Sequence, residues 1–324
     1  MGCPVLYLVL PCCNEQDTLP RTVPQFRGEI QRLIDAGEIA ADSKILFVND
    51  GSTDGTWAWI DALCETDALC GGISLSRNEG HQRALYAGIM EARGHCDLIV
   101  TADCDGQDDI RVLEEMLGRW REGADIVLGI RKSRRSDTPG KRGSARLFYR
   151  LLHALGVQTV CDHADFRLMT TEAADALAQF SEVHLYLRGL VPLIGFQTAE
   201  VFYDRGKRQG GKSHYPFRRM VSLALDAVTG FSVRPLRIIS GLGFLVSLLS
   251  FIGIIWIFWQ HFSGNTVSGW SSTLCIVCFV SGVQLISLGV VGEYIGRIYM
   301  EVKGRPRYII AKRTDDSTDD LRRR

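Results

Sequence analysis

The chain has 324 residues, which at ~150 residues per domain allows about two structural units. Lysine plus arginine number 37 and aspartate plus glutamate number 37, so the formal net charge is zero. This balance argues against a nucleic-acid partner, because general nucleic-acid binders carry a basic surface. Hydrophobic residues make up 46% of the chain and charged residues 23%, values that exclude global disorder.

The first 130 residues alternate short apolar runs with amphipathic segments. The apolar runs are typical of buried parallel strands and cover residues 5–10, 44–48, 72–75, 98–101 and 125–128. The segments between them predict helices over residues 19–36, 56–64, 82–92 and 112–121. This order predicts an α/β domain built on a doubly wound, mostly parallel sheet. Ligands of such sheets bind beyond the C-terminal ends of the strands.

Polar residues follow the first four predicted strands, over residues 11–15, 49–55, 76–80 and 103–108. Asp50 and its neighbours also suit turns and helix caps. Asp103 and Asp105 lie two residues apart beyond a buried strand, where they repel each other unless a cation lies between them. Carboxylate oxygens are ligands of Mg²⁺ or Mn²⁺, which usually share such sites with substrate phosphates. The sequence therefore predicts a divalent-cation site here.

Two uncharged stretches of 22 residues, 238–259 and 271–292, lie near the C-terminus. At ~1.5 Å per residue a helix of this length is about 33 Å long, enough to cross a bilayer core of ~30 Å. Residues 205–237 hold eight basic residues and one acid, and residues 297–313 hold six and one, whereas residues 260–270 hold no lysine or arginine. The positive-inside rule therefore predicts that both termini are cytoplasmic and the link faces outward.

These features predict a multi-pass protein of the inner (plasma) membrane in four parts. They are a cytoplasmic domain (1–204), a basic juxtamembrane segment (205–236), two spanning helices (237–296) and a cytoplasmic tail (297–324). Residues 5–10 are too short for the apolar core of a signal peptide, which agrees with a cytoplasmic N-terminus. The ten cysteines fit a reduced compartment better than a disulfide framework.

Several motifs, in their order along the chain, resemble those of the family-2 glycosyltransferases, and in particular the branch that acts on polyprenyl phosphates. Residues 11–15 resemble P-x-x-N-E, residues 49–52 resemble D-D-G-S, residues 103–107 resemble D-x-D-x-Q, residues 165–169 read D-F-R-L-M, residues 208–215 resemble R-x-x-G-x-S-K-Y, and residues 292–297 read G-E-Y-I-G-R. Asn49 replaces the first aspartate of D-D-G-S, and His214 replaces the lysine of R-x-x-G-x-S-K-Y.

The resemblance implies a GT-A type fold and a set of site residues. The nucleotide-sugar donor would contact Pro11, Cys13, Glu15, Asp50, Asp103, Cys104, Asp105, Gln107 and Arg131. Asp50 would face a uracil-type base and Arg131 the diphosphate, while Asp103, Asp105 and Gln107 would hold Mg²⁺ or Mn²⁺. The acceptor phosphate would bind Arg208, Lys212, Ser213 and His214.

For catalysis, the sequence leaves the base open. Asp165 is the first candidate for a base or an orienting group and Asp162 the second, with Asp105 acting through the cation. A salt bridge from Asp165 to Arg167 or Arg131 is the structural alternative. A strong base is optional, because an acceptor that is already anionic near neutral pH needs little deprotonation.

The implied reaction is an inverting transfer of glucose from UDP-glucose to undecaprenyl phosphate at the cytoplasmic membrane face, for O-antigen or envelope glycan modification. GDP-mannose, UDP-N-acetylglucosamine and a UDP-aminoarabinose derivative stay open as donors. Association into a homo-oligomer also stays open.

Three other functions compete with this interpretation. Residues 206–213 fit the P-loop pattern G-x-x-x-x-G-K-S of a membrane-bound NTPase, although Pro216 would interrupt the helix that must follow. A processive polysaccharide synthase would carry Q-x-x-R-W, but Met116 stands at the glutamine position before Arg119 and Trp120. A non-enzymatic nucleotide-binding membrane module would keep the fold but leave the pair of Asp103 and Asp105 unexplained.

Overall fold

The structure, a computed structural model, describes residues 2–131, 163–182, 187–204, 234–263 and 269–314. The strands are β1 (Leu6–Cys12), β2 (Lys44–Asn49), β3 (Cys70–Leu75), β4 (Leu98–Thr101), β5 (Ile126–Arg131), β6 (His163–Thr170), β7 (Thr198–Tyr203) and β8 (Ile310–Arg313). The α-helices are α1 (Leu19–Asp35), α2 (Thr56–Thr66), α3 (His81–Ala92), α4 (Leu113–Arg121), α5 (Thr171–Ala178), α6 (Leu187–Leu193), α7 (Arg234–Phe262) and α8 (Trp270–Val302).

The chain divides into two compact units. One contains all eight strands, and the other contains α7 and α8. The strands form one sheet in the order β7-β5-β6-β4-β1-β2-β3-β8. β1 pairs in parallel with β2 and β4, β2 with β3, and β5 with β7, whereas β6 and β8 run antiparallel to their neighbours. The predicted α/β class with a mostly parallel sheet is confirmed.

Helices cover both faces of the sheet because successive strand side chains point to opposite faces. On one face, α1 buries residues at helical spacing, including Val23, Phe26 and Ile30. On the other face, α3 lies close to the sheet at Gly88. A Cβ there would lie 2.3 Å from Val9 Cγ1 and 2.7 Å from Val48 Cγ2. The absent side chain of Gly88 thus allows close packing of helix and sheet.

The last described segment of the chain pairs with the edge of the sheet. Residues 310–313 form β8 on the edge of β3, and Arg313 makes a two-point ion pair with Glu91 at 2.7 and 3.1 Å. The backbone N–H of Ser76 also donates to the carbonyl of Ile309 at 2.9 Å. The sequence does not predict this strand, because four residues of mixed polarity on a sheet edge carry no clear alternation.

Helices α7 and α8, of 29 and 33 residues, contain the two predicted apolar stretches and extend beyond them. By length and composition, Leu236–Gly253 and Phe279–Val302 are long and apolar enough to cross a membrane, and their described side chains are not buried. Phe244, Trp259 and Leu285 are each at least 70% exposed. A core helix of a soluble protein would bury such side chains, so both helices are candidate membrane spans.

Candidate active site

The loops that follow β1 and β2 are tied together by hydrogen bonds. Asn14 adopts a positive φ of 55°, and its side-chain oxygen accepts a hydrogen bond of 2.8 Å from Thr53 N. In return, Asn14 N donates to Ser52 Oγ at 3.0 Å and Glu15 N to Thr56 Oγ1 at 2.9 Å. Two motifs that are separate in sequence therefore form one connected surface at the C-terminal ends of the strands.

The predicted donor residues of the first loop differ in exposure. Pro11 is buried within β1, whereas Cys13 and Glu15 are half-buried. Asn78 Nδ2 lies 3.0 Å from Cys13 Sγ. Burial and the charge of Asp50 raise the pKa of the Cys13 thiol, which therefore stays neutral. Cys13 can contribute contact and a weak hydrogen bond but no charge.

Asp50 connects the second loop to the loop that follows β3. Its carboxylate is buried and accepts hydrogen bonds from Glu79 N at 2.7 Å and Gly80 N at 3.0 Å. Burial raises the pKa of Asp50, and the two backbone donors oppose that rise. Asp50, which is predicted to contact the nucleotide base, thus also fixes the loop that follows β3.

Gly51 occupies a position that only glycine fits. Its φ is +59°, and a Cβ there would lie 2.3 Å from the backbone of both Arg77 and Asn78. We expect Gly51→Ala to destabilise the protein by ~1–3 kcal/mol, because backbone on both sides must move. Gly71→Ala is the matched control, since nothing lies within 4 Å of its added Cβ. Urea unfolding in detergent measures both, and equal losses would contradict the argument.

The loop after β4 presents the predicted cation ligands. The Asp103 side chain is 26% exposed, while Cys104 and Gln107 are buried. Asp105 Oδ1 accepts a hydrogen bond of 3.1 Å from Gln107 N, which fixes the turn. Burial, together with neighbouring carboxylates, raises the pKa of Asp103. The loop therefore carries crowded negative charge at the sheet edge.

This donor set fits a hard divalent cation. The side chains of Asp103, Asp105 and Gln107 offer oxygen atoms, which Mg²⁺ and Mn²⁺ prefer. A cation would offset the burial and the carboxylate repulsion that raise the pKa of Asp103. A second grouping has ligand atoms of His81, Asp103 and Asp165 within 4.8 Å of one another. In that grouping, however, Arg167 and Arg188 already neutralise the charge of Asp165. The charge balance therefore favours a cation at Asp103 and Asp105.

The buried Asp165 carboxylate, on β6, lies at the centre of a cluster of cationic and polar side chains. Arg167 Nη2 is 2.7 Å from its Oδ1, and Arg188 makes a two-point contact at 3.1 and 2.9 Å. His81 Nε2 lies 3.1 Å and Gln82 Nε2 3.3 Å from Oδ2. Asp165 therefore forms the salt bridge to Arg167 that was its structural alternative, and it pairs with Arg188 as well. Asp165 has no ion pair with Arg131 among those found in the described ranges.

The electrostatics of Asp165 favour an orienting role over proton transfer. Burial raises the pKa of this carboxyl, but the hydrogen bond with His81 and the charges of Arg167 and Arg188 lower it more, to well below its usual range. A carboxylate that holds its charge so firmly is a weak base. Its contacts instead fix Arg188 and His81, whose side chains are 39% and 43% exposed.

Arg131, at the end of β5, lies beside the acidic loop. Its Nη2 is 3.9 Å from Asp103 Oδ2 and 3.3 Å from Asp108 Oδ1. The structure thus brings Arg131 to the predicted cation ligands. The other predicted residues, Asp162, Arg208, Lys212, Ser213 and His214, lie outside the described residues, as does the P-loop-like stretch.

Comparison with known proteins identifies the family. The Glycosyl transferase family 2 profile matches residues 7–177, which is more than half of the chain. The chain belongs to glycosyl transferase family 2. The GtrB C-terminal hairpin profile matches residues 234–298, the segment that contains α7 and most of α8. The predicted family and enzyme class, a glycosyltransferase, are confirmed.

Relatives of this glycosyltransferase align over nearly its whole length. It is 44% identical over 307 residues to "Uncharacterized glycosyltransferase YkoT" of Bacillus subtilis, covering 95% of this chain and 91% of that protein. It is 38% identical over 310 residues to the SfII prophage-derived bactoprenol glucosyl transferase of Shigella flexneri, covering 94% and 97%. The mannosyltransferase PcManGT of Pyrobaculum calidifontis, solved with GDP-Man and Mn²⁺, matches with a TM-score of 0.50 and 15% identity, over 71% of this chain and 64% of that one. The last likeness supports the GT-A type fold.

Five residues that contact the predicted site residues were not themselves predicted from the sequence: His81, Gln82, Asp108, Arg188 and Tyr203. His81 and Gln82 directly follow a loop that the sequence marked, and Asp108 lies in another, so strand-end position was a usable signal. Arg188 and Tyr203 carried no such signal, because α6 and β7 bring them to the site from distant parts of the chain.

Proposed function

We propose that this glycosyltransferase moves a sugar from a nucleotide donor to a polyprenyl phosphate, and specifically glucose from UDP-glucose to undecaprenyl phosphate. The observation that carries the proposal is the acidic loop beside Arg131, in a chain that also contains two candidate membrane helices. The bactoprenol glucosyl transferase name of the Shigella relative supports the acceptor and the sugar. Its product would serve O-antigen or envelope glycan modification.

The donor would lie along the C-terminal ends of the strands. The loops that contain Pro11, Cys13, Glu15 and Asp50 would hold the nucleoside. Asp103, Asp105 and Gln107 would hold Mg²⁺ or Mn²⁺ against the diphosphate, with Arg131 and Cys104 beside it. The cation, when bound, offsets the negative charge that the diphosphate gains as it leaves.

At the sugar, an acceptor phosphate oxygen would form a bond to the anomeric carbon while the bond to the donor's β-phosphate oxygen breaks. Direct displacement inverts the configuration and releases a nucleoside diphosphate. The acceptor is already anionic, so Asp165 would act by orienting Arg188 and His81, with Asp162 as the second candidate for a base. Arg208, Lys212, Ser213 and His214 stay predicted contacts of the acceptor phosphate.

The experiment that tests this function is a panel of nucleotide sugars with undecaprenyl phosphate and Mn²⁺. We expect transfer from UDP-glucose, with less from GDP-mannose, UDP-N-acetylglucosamine and a UDP-aminoarabinose derivative. A parallel ATPase assay tests the P-loop alternative. ATP hydrolysis without transfer of any sugar would overturn the proposal, and transfer from a different donor would correct only the sugar.

The basic flanks predict the topology of the two helices. Residues 260–270 should face outward and residues 1–235 the cytoplasm. In a background without native cysteines, Ser268→Cys should react with an impermeant maleimide in intact cells. Asp61→Cys, in the first unit, should react only after lysis. The reversed labelling pattern would contradict the topology.

A further inference from the structure

A hydrogen-bond network surrounds the guanidinium of Arg131. Tyr203 ends β7 directly across the parallel strand pair from Arg131. Its hydroxyl donates a hydrogen bond of 2.6 Å to Asp108 Oδ1 and accepts one of 3.3 Å from Arg131 Nε. Arg131 Nη2 lies 3.3 Å from the same oxygen of Asp108. The three side chains therefore form a closed triangle, with two points of attachment on the guanidinium.

The phenol ring of Tyr203 is held in place independently of its hydroxyl. It is 2% exposed and packs edge-to-face on Phe166, with ring centroids 5.5 Å apart. Gly129 leaves room for it, since a Cβ at Gly129 would lie 3.0 Å from Tyr203 Cε1. The packed ring thus holds the hydroxyl against Arg131. Replacing Tyr203 by Phe removes the hydroxyl and keeps the packing of the ring.

The buried carboxylate of Asp108 has hydrogen-bond partners on only one of its two oxygens among the described residues. Its residue is 6% exposed, and its Oδ2 has no hydrogen-bond partner among the described residues. A buried carboxylate oxygen without a partner opposes folding. Asp108 Oδ1, in contrast, meets both Tyr203 and Arg131. The charge of Asp108 is therefore directed at the guanidinium.

We propose that Asp108 and Tyr203 are positioning residues that fix the Arg131 guanidinium for the donor diphosphate, an inference that rests on the proposed function. The nitrogen that meets Asp108 is also 3.9 Å from Asp103 Oδ2, so the guanidinium lies between the buried pair and the predicted cation ligands. Arginine loses rotamer freedom when it binds a ligand. An arginine fixed beforehand avoids that loss, which strengthens diphosphate binding.

The test is a double-mutant cycle read by binding. The affinity of the full-length protein in detergent for UDP with Mn²⁺ is measured by calorimetry. Tyr203→Phe should weaken it about fivefold, the effect of one lost hydrogen bond. The donor KM should rise by a similar factor while kcat changes less. In an Arg131→Ala background, Tyr203→Phe should have no further effect, because the group it positions is gone. Asp108→Asn should behave in the same way.

Tyr308→Phe is the matched control. Tyr308 also pairs edge-to-face with another ring, that of Tyr86, at 6.3 Å, and it lies outside the triangle. Its loss of hydroxyl should leave UDP affinity unchanged. Equal weakening by Tyr203→Phe with and without Arg131 would overturn the positioning role and leave the proposed function standing. If the wild type neither binds UDP nor transfers any sugar, the proposed function fails and the inference fails with it.

Discussion

Asp105→Ala is expected to lower the turnover of sugar transfer by ~10²-fold or more, as losses of transition-state charge stabilisation do. Asp105 lies in the loop whose turn is fixed by its own hydrogen bond with Gln107 N, and its charge is among those that raise the pKa of the buried Asp103 carboxyl. Its removal would take one of two carboxylates from the cation. Turnover is measured with saturating donor and Mn²⁺, and excess EDTA should abolish it in the wild type.

The control for this variant lies four residues further along the chain. Asp109 is also acidic, but it pairs with Arg111 at 2.9 Å within its own short helical turn. Asp109→Ala should leave turnover unchanged, because the Asp109 carboxylate is already paired with Arg111 and is not among the predicted cation ligands. Wild-type activity that persists in excess EDTA would remove the cation from the proposal, and equal losses in both variants would remove the specific role of Asp105.

Much of the fold follows from the sequence. Each of the five predicted strands overlaps an observed one and begins within two residues of its start, and α1 and α2 begin where the pattern predicts. These elements are buried in parallel pairs or lie against the sheet, so their apolar periodicity is strong. The antiparallel insertion of β6 between β4 and β5 does not follow, because strand order is set by long-range pairing.

Site residues that directly follow a strand could be predicted from the sequence, whereas those that come from distant segments could not. Asp103, Asp105 and Asp50 follow strands, so the edge rule for α/β sheets locates them. Arg188 reaches Asp165 from a separate helix, and Tyr203 reaches Arg131 only through the pairing of β5 with β7. The sequence left Asp165 as a base or an orienting group, with a salt bridge to Arg167 or Arg131 as the alternative, but it could not reveal that Arg188 also contacts this carboxylate.

The ion pairs of the buried Asp165 with Arg167 and Arg188 predict a large loss of stability when this side chain is removed. Arg167 is 1% exposed, and Asp165 is its only ion-pair partner among the described residues. Asp165→Ala would leave a buried guanidinium unpaired, so we expect a loss of ~3–5 kcal/mol in the free energy of unfolding. Urea unfolding followed by tryptophan fluorescence in detergent measures it. Asp165→Asn should lose less, because its amide oxygen still accepts hydrogen bonds from the same arginines.

Two further variants separate this ion-pair effect from a general effect of mutation. Asp175 pairs with Arg93 at 3.5 Å, but the carboxylate is 58% exposed, so Asp175→Ala should cost at most ~1 kcal/mol. Replacement of both buried partners, in Asp165→Ala with Arg167→Met, should recover part of the stability lost in Asp165→Ala. The recovery is expected because the double variant leaves no unpaired buried charge, and buried ion pairs replaced by apolar side chains are often neutral or stabilising. If Asp165→Ala were no less stable than Asp175→Ala, the cluster would not be the electrostatic anchor that its contacts indicate.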